Sequence, residues 1–533
     1  MVLLCSPHRK GIPHTVGLLD VPVEIIIEIL KYLSHRDLLR CQAVSHALHD
    51  TVCESLELQY IIELGADNLV DGSREPGSMN TAERLDLLLD RRRRWRELNW
   101  RSIDTVQLGG PCQAYEFVGG MFAFSTAGVA GVHASKNLVV NTLPSRFSEG
   151  SSTVREDIGV LMKDFAIDPS QDLIALVEQD ESTVDAPIKV YLHTISTNKT
   201  HPDASEAVLT APALQQPGVC FVRIVEDVIG LFFWLQNPGL IIWDWRTGVT
   251  AVFTSGIELP IGAYDFAFLS ARTFFVTSTD THGAIELFTF ECSSTAKAPT
   301  HVATLRLPPL RAGLRVNTFC THSAPWLGKP STKGVPFATS QDDRIHVMSL
   351  TYGSQHGPKF HMFVKNSFMQ RVIAEATAEG AGNKRKIMDW EAWGPENTRL
   401  FEHNVHFQWL RYVHGQRVVL PPAPVSLDPM EGLTRMFVMD FNPHPKRLHD
   451  PGDAVLEDER SHDWDYLIQA SASVVPAGDV YQNDVTTTLP YAFSSRKGQL
   501  RYTGLMIDDQ RLVGIKDSAF AASTLSDIDV FTF

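Results

Sequence analysis

The feature that most constrains this chain begins past Trp100: short β-type runs, separated by turn residues, that keep returning in the same order. Residues 114–118 and 121–124 flank Gly119-Gly120, residues 164–168 and 173–177 flank a Pro169-Ser170 turn, and residues 188–192 supply a third run. The order repeats in 221–225, 228–234 and 240–248, again in 264–268, 272–276 and 285–290, and more faintly in 337–340, 344–348 and 435–441. Strand, turn, strand, turn, strand at a recurring interval is the signature of sheets repeated around an axis, each covering the next. About 430 residues, at ~45–50 per unit with insertions, accommodate about six to eight blades. A pair of β-sandwiches or another all-β array is the alternative.

Within this pattern, residues 240–242 lead into Trp243-Asp244-Trp245-Arg246-Thr247-Gly248, and Trp243-Asp244 resembles the dipeptide that marks a WD-type repeat. Elsewhere the likeness is degenerate. Polar stretches at 145–157, 196–216, 375–386 and 447–462 read as insertions, which in such an array project from the faces where partners bind. The stretch from Trp390 to Pro395 reads as a crossover or a platform, its two tryptophans fitting core packing better than ligand binding.

The segment ahead of the β region is helical. Pro22 suits a first turn, Glu24 sits near the positive end of the helix dipole, and Ile25, Ile29 and Leu33 recur at helical spacing. Ser34 stands three residues before Asp37, a capping pattern that starts a second helix near His35. Leu38, Leu39, Cys41 and Val44 are its apolar positions, and Ala47, Leu48, Val52 and Leu56 continue a third run. So small a set of helices cannot bury this much apolar surface by itself, which implies a partner. Residues 65–80 read as a linker, and Leu85, Leu88, Leu89 and Trp95 predict a helix from Thr81 to Leu98. The run Arg91 to Arg94 reads as a solvated helical face with cations near a C-terminus rather than a nuclear address.

The arrangement Pro22-x-Glu24-Ile25, Ile29, Leu33, Asp37-Leu38-Leu39 and Val44 resembles the F-box, the module that docks substrate receptors onto the Skp-family adaptor of SCF ubiquitin ligases. The whole chain resembles fungal F-box proteins with degenerate, WD-type or propeller-like C-terminal regions. The resemblance implies that Pro22, Ile25, Ile29, Leu33, Leu38, Val44 and Leu48 lie at or just beneath the adaptor interface, some of them holding the helices together. Leu48 departs from the pattern, standing where the family often has tryptophan. A three-helix cap packed on the rest of the same chain is the competing reading.

The composition narrows the partners. Forty-seven basic against 62 acidic side chains give a formal charge of −15, which argues against nucleic acid as the main partner. No apolar run reaches the ~18–20 residues that span a bilayer, and the apolar start at Val2 is too short for a signal peptide. Seven scattered cysteines without a C-x-x-C pair suit a reducing cytoplasmic or nuclear compartment. No H-E-x-x-H, G-x-S-x-G or phosphate-binding glycine motif occurs. His46 with His49, and His403 with His406, have the spacing to reach one metal but lack a recognisable set of further ligands. The acidic runs 178–181 and 450–460 read as solvated loops.

The expected fold class is α+β multidomain: an N-terminal extension over 1–18, a three-helix F-box-like domain over 19–60, a linker and connecting helix over 61–98, and a large all-β region over 99–533, a β-propeller of about six to eight blades. The expected function is that of a non-catalytic receptor subunit of an SCF-type ubiquitin ligase, bound to the Skp-family adaptor and cullin complex and to an unknown protein substrate bound for ubiquitin-dependent degradation. The connecting helix would set the spacing. No catalytic residue, cofactor or metal is expected, and no nucleic-acid or membrane partner. The alternatives are an F-box interaction protein outside degradation and an enzyme with clustered Asp, Glu or His in the propeller channel. Arg223, Arg246, Arg272 and Arg344 lie in or beside predicted strands and would serve a reader of phosphorylated targets if they converged.

Overall fold

The computed structural model describes residues 17–18, 21–72, 79–126, 134–179, 187–212, 219–234, 238–255, 258–293, 298–328, 336–378, 385–402, 411–424, 434–443, 458–460, 463–498, 502–517 and 524–533. These fall into two compact units, one helical (the described residues among 1–70 and 74–90) and one built mainly of strands (those among 71–73 and 91–533).

The helical unit opens with α1 (Val23–Leu30), α2 (His35–Gln42), α3 (His46–Glu54) and α4 (Leu56–Ala66). Ser34 realises the expected cap: its hydroxyl oxygen accepts the Asp37 N–H at 3.2 Å and its O–H donates to the Asp37 carboxylate at 2.7 Å. Ser45 and Ser55 cap the next two helices by accepting the N–H groups of Leu48 and Leu58. The single third run expected from Ala47 onward is therefore two helices, broken where Ser55 takes an extended backbone. Ile26, Leu30, Leu38, Leu48, Val52, Leu58 and Ile62 form the core of the unit.

The helix α5 (Thr81–Glu97) crosses the boundary between the units at Asp90/Arg91. Its last turn places cations where the helix dipole favours them, and Arg94 donates to the Asn99 carbonyl at 3.0 Å.

Most strands of the second unit form seven blades, antiparallel except where Lys386–Met388 adds in parallel to the outer strand of the fourth. Blade 2 shows the plan: Met162–Asp168, Leu173–Glu178, Ile188–Thr194 and Val208–Ala211 pair in chain order from the innermost strand outward. Blade 3 repeats it with Val219–Val225, Val228–Trp234, Pro238–Asp244 and Val249–Ser255, and blade 4 with Ala263–Ser270, Thr273–Ser278, Ala284–Thr289 and Thr300–Arg306. In blade 5, α6 (Asn366–Ala378) and α7 (Trp390–Asn397) are inserted between Lys359–Lys365 and the outer strand Thr398–Glu402. Blade 6 begins at Val413–His414, and in it Tyr491–Gly498 lies between Thr434–Asp440 and Trp464–Gln469.

Blade 7 closes the ring. Its strands Gly504–Ile507, Arg511–Asp517 and Thr524–Thr532 take their fourth partner from the far end of the sequence, residues 102–107 of Ser102–Val118, while residues 112–118 of the same strand open blade 1. The Asp529 carboxylate fastens this closure by accepting from Thr105 Oγ1 and Tyr502 Oη, both at 2.7 Å, and from Lys516 Nζ at 2.6 Å.

Each blade has both faces covered, so middle strands such as Thr273–Ser278 are buried along their whole length. Separate apolar clusters fill the gaps between neighbouring blades, for example Val190, Leu231 and Trp243 between blades 2 and 3 and Phe232, Phe266 and Phe274 between 3 and 4. The polar stretches 145–157 and 196–216 are not simple insertions, because each contains an outer strand, Ser151–Arg155 or Val208–Ala211. The first of these is exposed along most of its length and so carries no apolar pattern to read. Trp390 and Trp393 are buried on α7, 5.1 Å apart edge to face, with Phe368 stacked on Trp393. Trp243-Asp244 ends the third strand of blade 3, where the Asp244 carboxylate accepts the N–H groups of Arg246 and Thr247 at 3.0 Å and holds the turn.

Asp529→Ala removes three hydrogen bonds to one carboxylate and is expected to cost about 1.5–3 kcal/mol in thermal or denaturant unfolding. Burial alone would raise the Asp529 pKa, but Lys516, Tyr502 and Thr105 hold it below the ordinary 3.8. Its stabilisation is present above that value and lost as the pH falls through the folded one, so the difference between variant and wild type shrinks in acid. A difference that persists unchanged in acid would contradict this role.

Candidate functional site

Among the described residues two places have the chemistry of a site, one on each unit. On the helical unit, α1 is apolar at six of its eight positions, so periodicity alone cannot say which side faces inward. The fold turns Ile26 and Leu30 into the core and leaves Ile25 and Ile29 outward, 49% and 47% exposed. Val44, in the turn after α2, is 72% exposed, Pro22 is exposed at the start of α1, and Leu33 packs partly buried against the core. Leu38 and Leu48 are buried core residues, beneath the surface rather than on it. The leucine at position 48 therefore packs among the helices. Val23, Tyr32 and Leu39 are further exposed apolar side chains on or beside the first two helices that the sequence reading left out of its interface set. Burying one such side chain contributes about 1.5–3 kcal/mol, so a few of them suffice for a docking contact.

The second place is the channel end of the propeller. Six blades bring ionisable groups there from, or just before, their innermost strands: Glu116, Asp164, Arg223, Asp265, His322 and Arg411. Arg411 Nε donates to Glu116 Oε2 at 2.9 Å and a second guanidinium nitrogen donates to Oε1 of the same carboxylate, a bidentate pair joining blades 6 and 1. Asp265 accepts the N–H groups of Phe266 and Thr321, each at 2.7 Å. Burial, with the nearby Glu116 charge, pushes the Asp164 carboxyl up to about 7, and burial raises Asp265 to about 6 against the pull of Arg223. The same burial, with Arg223 and Arg411 nearby, brings the His322 imidazole down to about 3 and keeps it neutral.

Of the four arginines singled out from sequence, the fold brings two together. Arg223 and Arg344 line one cavity of about 40 Å³ with Trp326, Ser323, Glu116 and Arg411. Arg246 and Arg272 instead fasten neighbouring blades, Arg246 to Gln171 at 2.8 Å and Arg272 to Asp227 at 2.5 and 2.9 Å. Arg411 gave no signal in the sequence, since the strand it precedes, Val413–His414, has only two residues and no alternation. The cavity has room for a small ion or a few waters. Among the described residues no three His, Cys, Asp or Glu side chains stand in a metal-holding group, and the described cysteines are free. His46 and His49 are exposed, while His403 and His406 lie outside the described residues. No helix among the described residues is long and apolar enough to cross a membrane.

Residues 18–58 match the family model described as F-box-like. The chain carries an F-box-like domain followed by a seven-bladed β-propeller whose third blade bears a Trp-Asp turn. Comparison with curated proteins gives no match. Solved structures to which the chain is similar include the WD40 β-propeller domain of Doa1, at 10% identity over 50% of this chain and 70% of that one with a TM-score of 0.28. The WD40 domain of SCAP from fission yeast is another, at 11% identity over 81% of this chain and 98% of that one with a TM-score of 0.36.

Two outcomes test these assignments. Leu38→Ala is expected to cost about 2–5 kcal/mol of the stability of the helical unit, whereas Ile29→Asp leaves its circular dichroism and unfolding nearly unchanged. Because Asp164 has a folded pKa above its ordinary 3.8, its contribution is present below that value and lost as the pH rises through about 7. Asp164→Asn is therefore expected to melt progressively above wild type between about pH 4 and 7, by several degrees at neutral pH. A difference independent of pH would place the carboxyl in a wetter environment than the structure gives it.

Proposed function

We propose that this protein is the substrate-recognition subunit of an SCF-type ubiquitin ligase. The observation that carries the reading is the set of outward apolar side chains on an F-box-like module whose own core is already complete without them. Pro22, Ile25, Ile29, Leu33 and Val44 contact the Skp-family adaptor, and Leu38 and Leu48 support them from beneath. The adaptor joins the chain to the cullin complex, in the cytoplasm or nucleus, and the propeller captures a protein target.

The chain performs no covalent step of its own on this reading. Its contribution is proximity, since holding a target lysine near a conjugating enzyme replaces a bimolecular encounter by a local one at high effective concentration. A propeller suits that task because its blades form a rigid support from which loops of differing sequence can project.

The test is co-purification of the full chain with the Skp-family adaptor, beside Ile29→Asp and Val44→Asp. An unpaired carboxylate in a desolvated apolar contact costs several kcal/mol, so each variant is expected to weaken binding by about 100-fold or more while remaining folded. Reconstitution with cullin and conjugating enzyme is then expected to ubiquitinate a protein captured through the propeller. Adaptor binding unaffected by both substitutions would overturn the docking face, and an assembled complex that modifies no captured protein would overturn the ligase role.

A further inference from the structure

We propose, resting on the reading that the propeller captures the target, that the outer edge of blade 1 binds an extended, basic segment of that target by taking it up as a further strand. The edge strand is Ser151–Arg155, which pairs with Leu138–Thr142 on one side and with no strand among the described residues on the other. In an antiparallel pair alternate residues aim their N–H and C=O groups toward and away from the neighbour. The outward row of this strand is therefore a template for another chain.

The strand differs from its counterparts. Outer strands elsewhere keep one face packed, through Leu209 and Ala211 in blade 2, Ala251 and Val252 in blade 3 and Leu400 in blade 5. In blade 1, Ser151, Ser152, Thr153 and Val154 are all exposed, Val154 by 66%, so both faces are open as well as the edge. The strand also has none of the devices that blunt such an edge: it contains no proline or lysine, and its register against Leu138–Thr142 is unbroken. Thr153 and Val154 are β-branched and favour the extended backbone that pairing needs.

The chain uses the same mode within itself. Lys386–Met388 adds in parallel to the outer strand of blade 4, where Lys386 stands opposite Ala303, Ile387 opposite Thr304 and Met388 opposite Leu305. The added segment is basic at its start: Lys386 donates to the Glu375 carboxylate at 3.1 Å, and Arg385 lies 3.4 Å from the ring of His301 on the edge it joins. An outer edge of this propeller thus takes up a short basic strand from a remote part of the sequence. Among the described residues, blade 1 receives no such segment.

Charge selects the occupant. Glu149 stands two residues before the edge strand, Glu156 and Asp157 follow it directly, and all three are exposed. Lys136 lies 3.9 Å from Asp157, while Arg155 is turned aside and donates to the Ile195 and Ser196 carbonyls at 2.6 and 3.0 Å. Three carboxylates with one lysine beside them therefore flank the edge, which favours cations at both ends of a docked segment and disfavours an acidic one. Backbone hydrogen bonds supply the affinity of such a contact, and alternate side chains supply its specificity. The fitting segment is about five residues of β-branched or hydroxyl type, bounded by lysine or arginine.

The test uses the full chain without adaptor. The probe is fluorescent Lys-Lys-Val-Thr-Val-Lys-Lys with blocked ends, at constant ionic strength, beside a version with Glu for every Lys and one whose central amides are N-methylated. The basic peptide is expected to bind saturably, and the other two about tenfold more weakly or worse. Glu149→Lys combined with Glu156→Lys, at exposed positions, is expected to leave unfolding unchanged, to weaken the basic peptide several-fold and to strengthen the acidic one. Hydrogen exchange with the basic peptide bound is expected to show new protection within Ser151–Arg155 and none within Thr300–Arg306. Absence of saturable binding, equal binding of the N-methylated peptide, or protection confined to other strands overturns the proposal. Sedimentation showing a dimeric wild type and a monomeric double variant assigns the edge to a second copy and overturns it as well. Adaptor co-purification of the same preparation separates the two readings, since an edge that fails while the adaptor still binds leaves the receptor assignment in place.

Discussion

A ring of blades holds its shape only if its two ends are fastened together, and the propeller depends on that fastening. Residues 102–107 leave blade 1 to become the outer strand of blade 7, pairing along Thr524–Thr532, so the two ends of a stretch of more than four hundred residues are joined by hydrogen bonds. The pairing is reinforced at two levels. Trp95 stacks on Phe533 at 4.1 Å and Trp100 meets Phe531 edge to face, while the Asp529 carboxylate ties Thr105 to Tyr502 and Lys516. Closure at such sequence separation is entropically demanding, and it fixes the angular position of every blade between the two ends.

Only with the ring closed do the inner strands present their polar groups to a common space. Glu116 and Arg411 stand on blades 1 and 6, and Arg223 and Arg344 on blades 3 and 5, yet these four residues line one cavity. Outside the channel the same need to register neighbouring blades is met by surface pairs such as Arg272 with Asp227. The helical unit follows a different economy, in which seven core residues hold four short helices together and comparable apolar residues remain outward. The two units thus differ in what they leave unpaired: apolar surface on one, a strand edge on the other.

Much of this was legible in the sequence because its physics is local. The Ser34 cap, the helix α5, the recurring strands and the Trp243-Asp244 turn each depend on residues a few positions apart. What escaped depends on solvent or on distance. The outer strand Ser151–Arg155 faces water and keeps no apolar pattern, and the break at Ser55 is hidden because Leu48, Val52 and Leu56 keep helical spacing across it. The helix α6 lies where strands recur on either side of it, although its buried positions Phe368, Met369, Val372 and Ile373 have helical spacing. On α1 the stripe was recognised, but Ile25 with Ile29 and Ile26 with Leu30 are equally apolar, and packing alone decides which pair is outward. The gathering of Arg223 and Arg344, with Arg411 beside them, follows from ring closure, and no window of sequence contains it.

On the proposed reading the two units divide the labour, the helical unit binding an adaptor and the propeller left free for a target. Hydrogen exchange on the full chain, with and without the Skp-family adaptor, tests it most directly. New protection is expected only in the segment from Pro22 to Leu48, with exchange in the blades unchanged. Protection in the propeller, or none in the helices under conditions where the adaptor is bound, would contradict it.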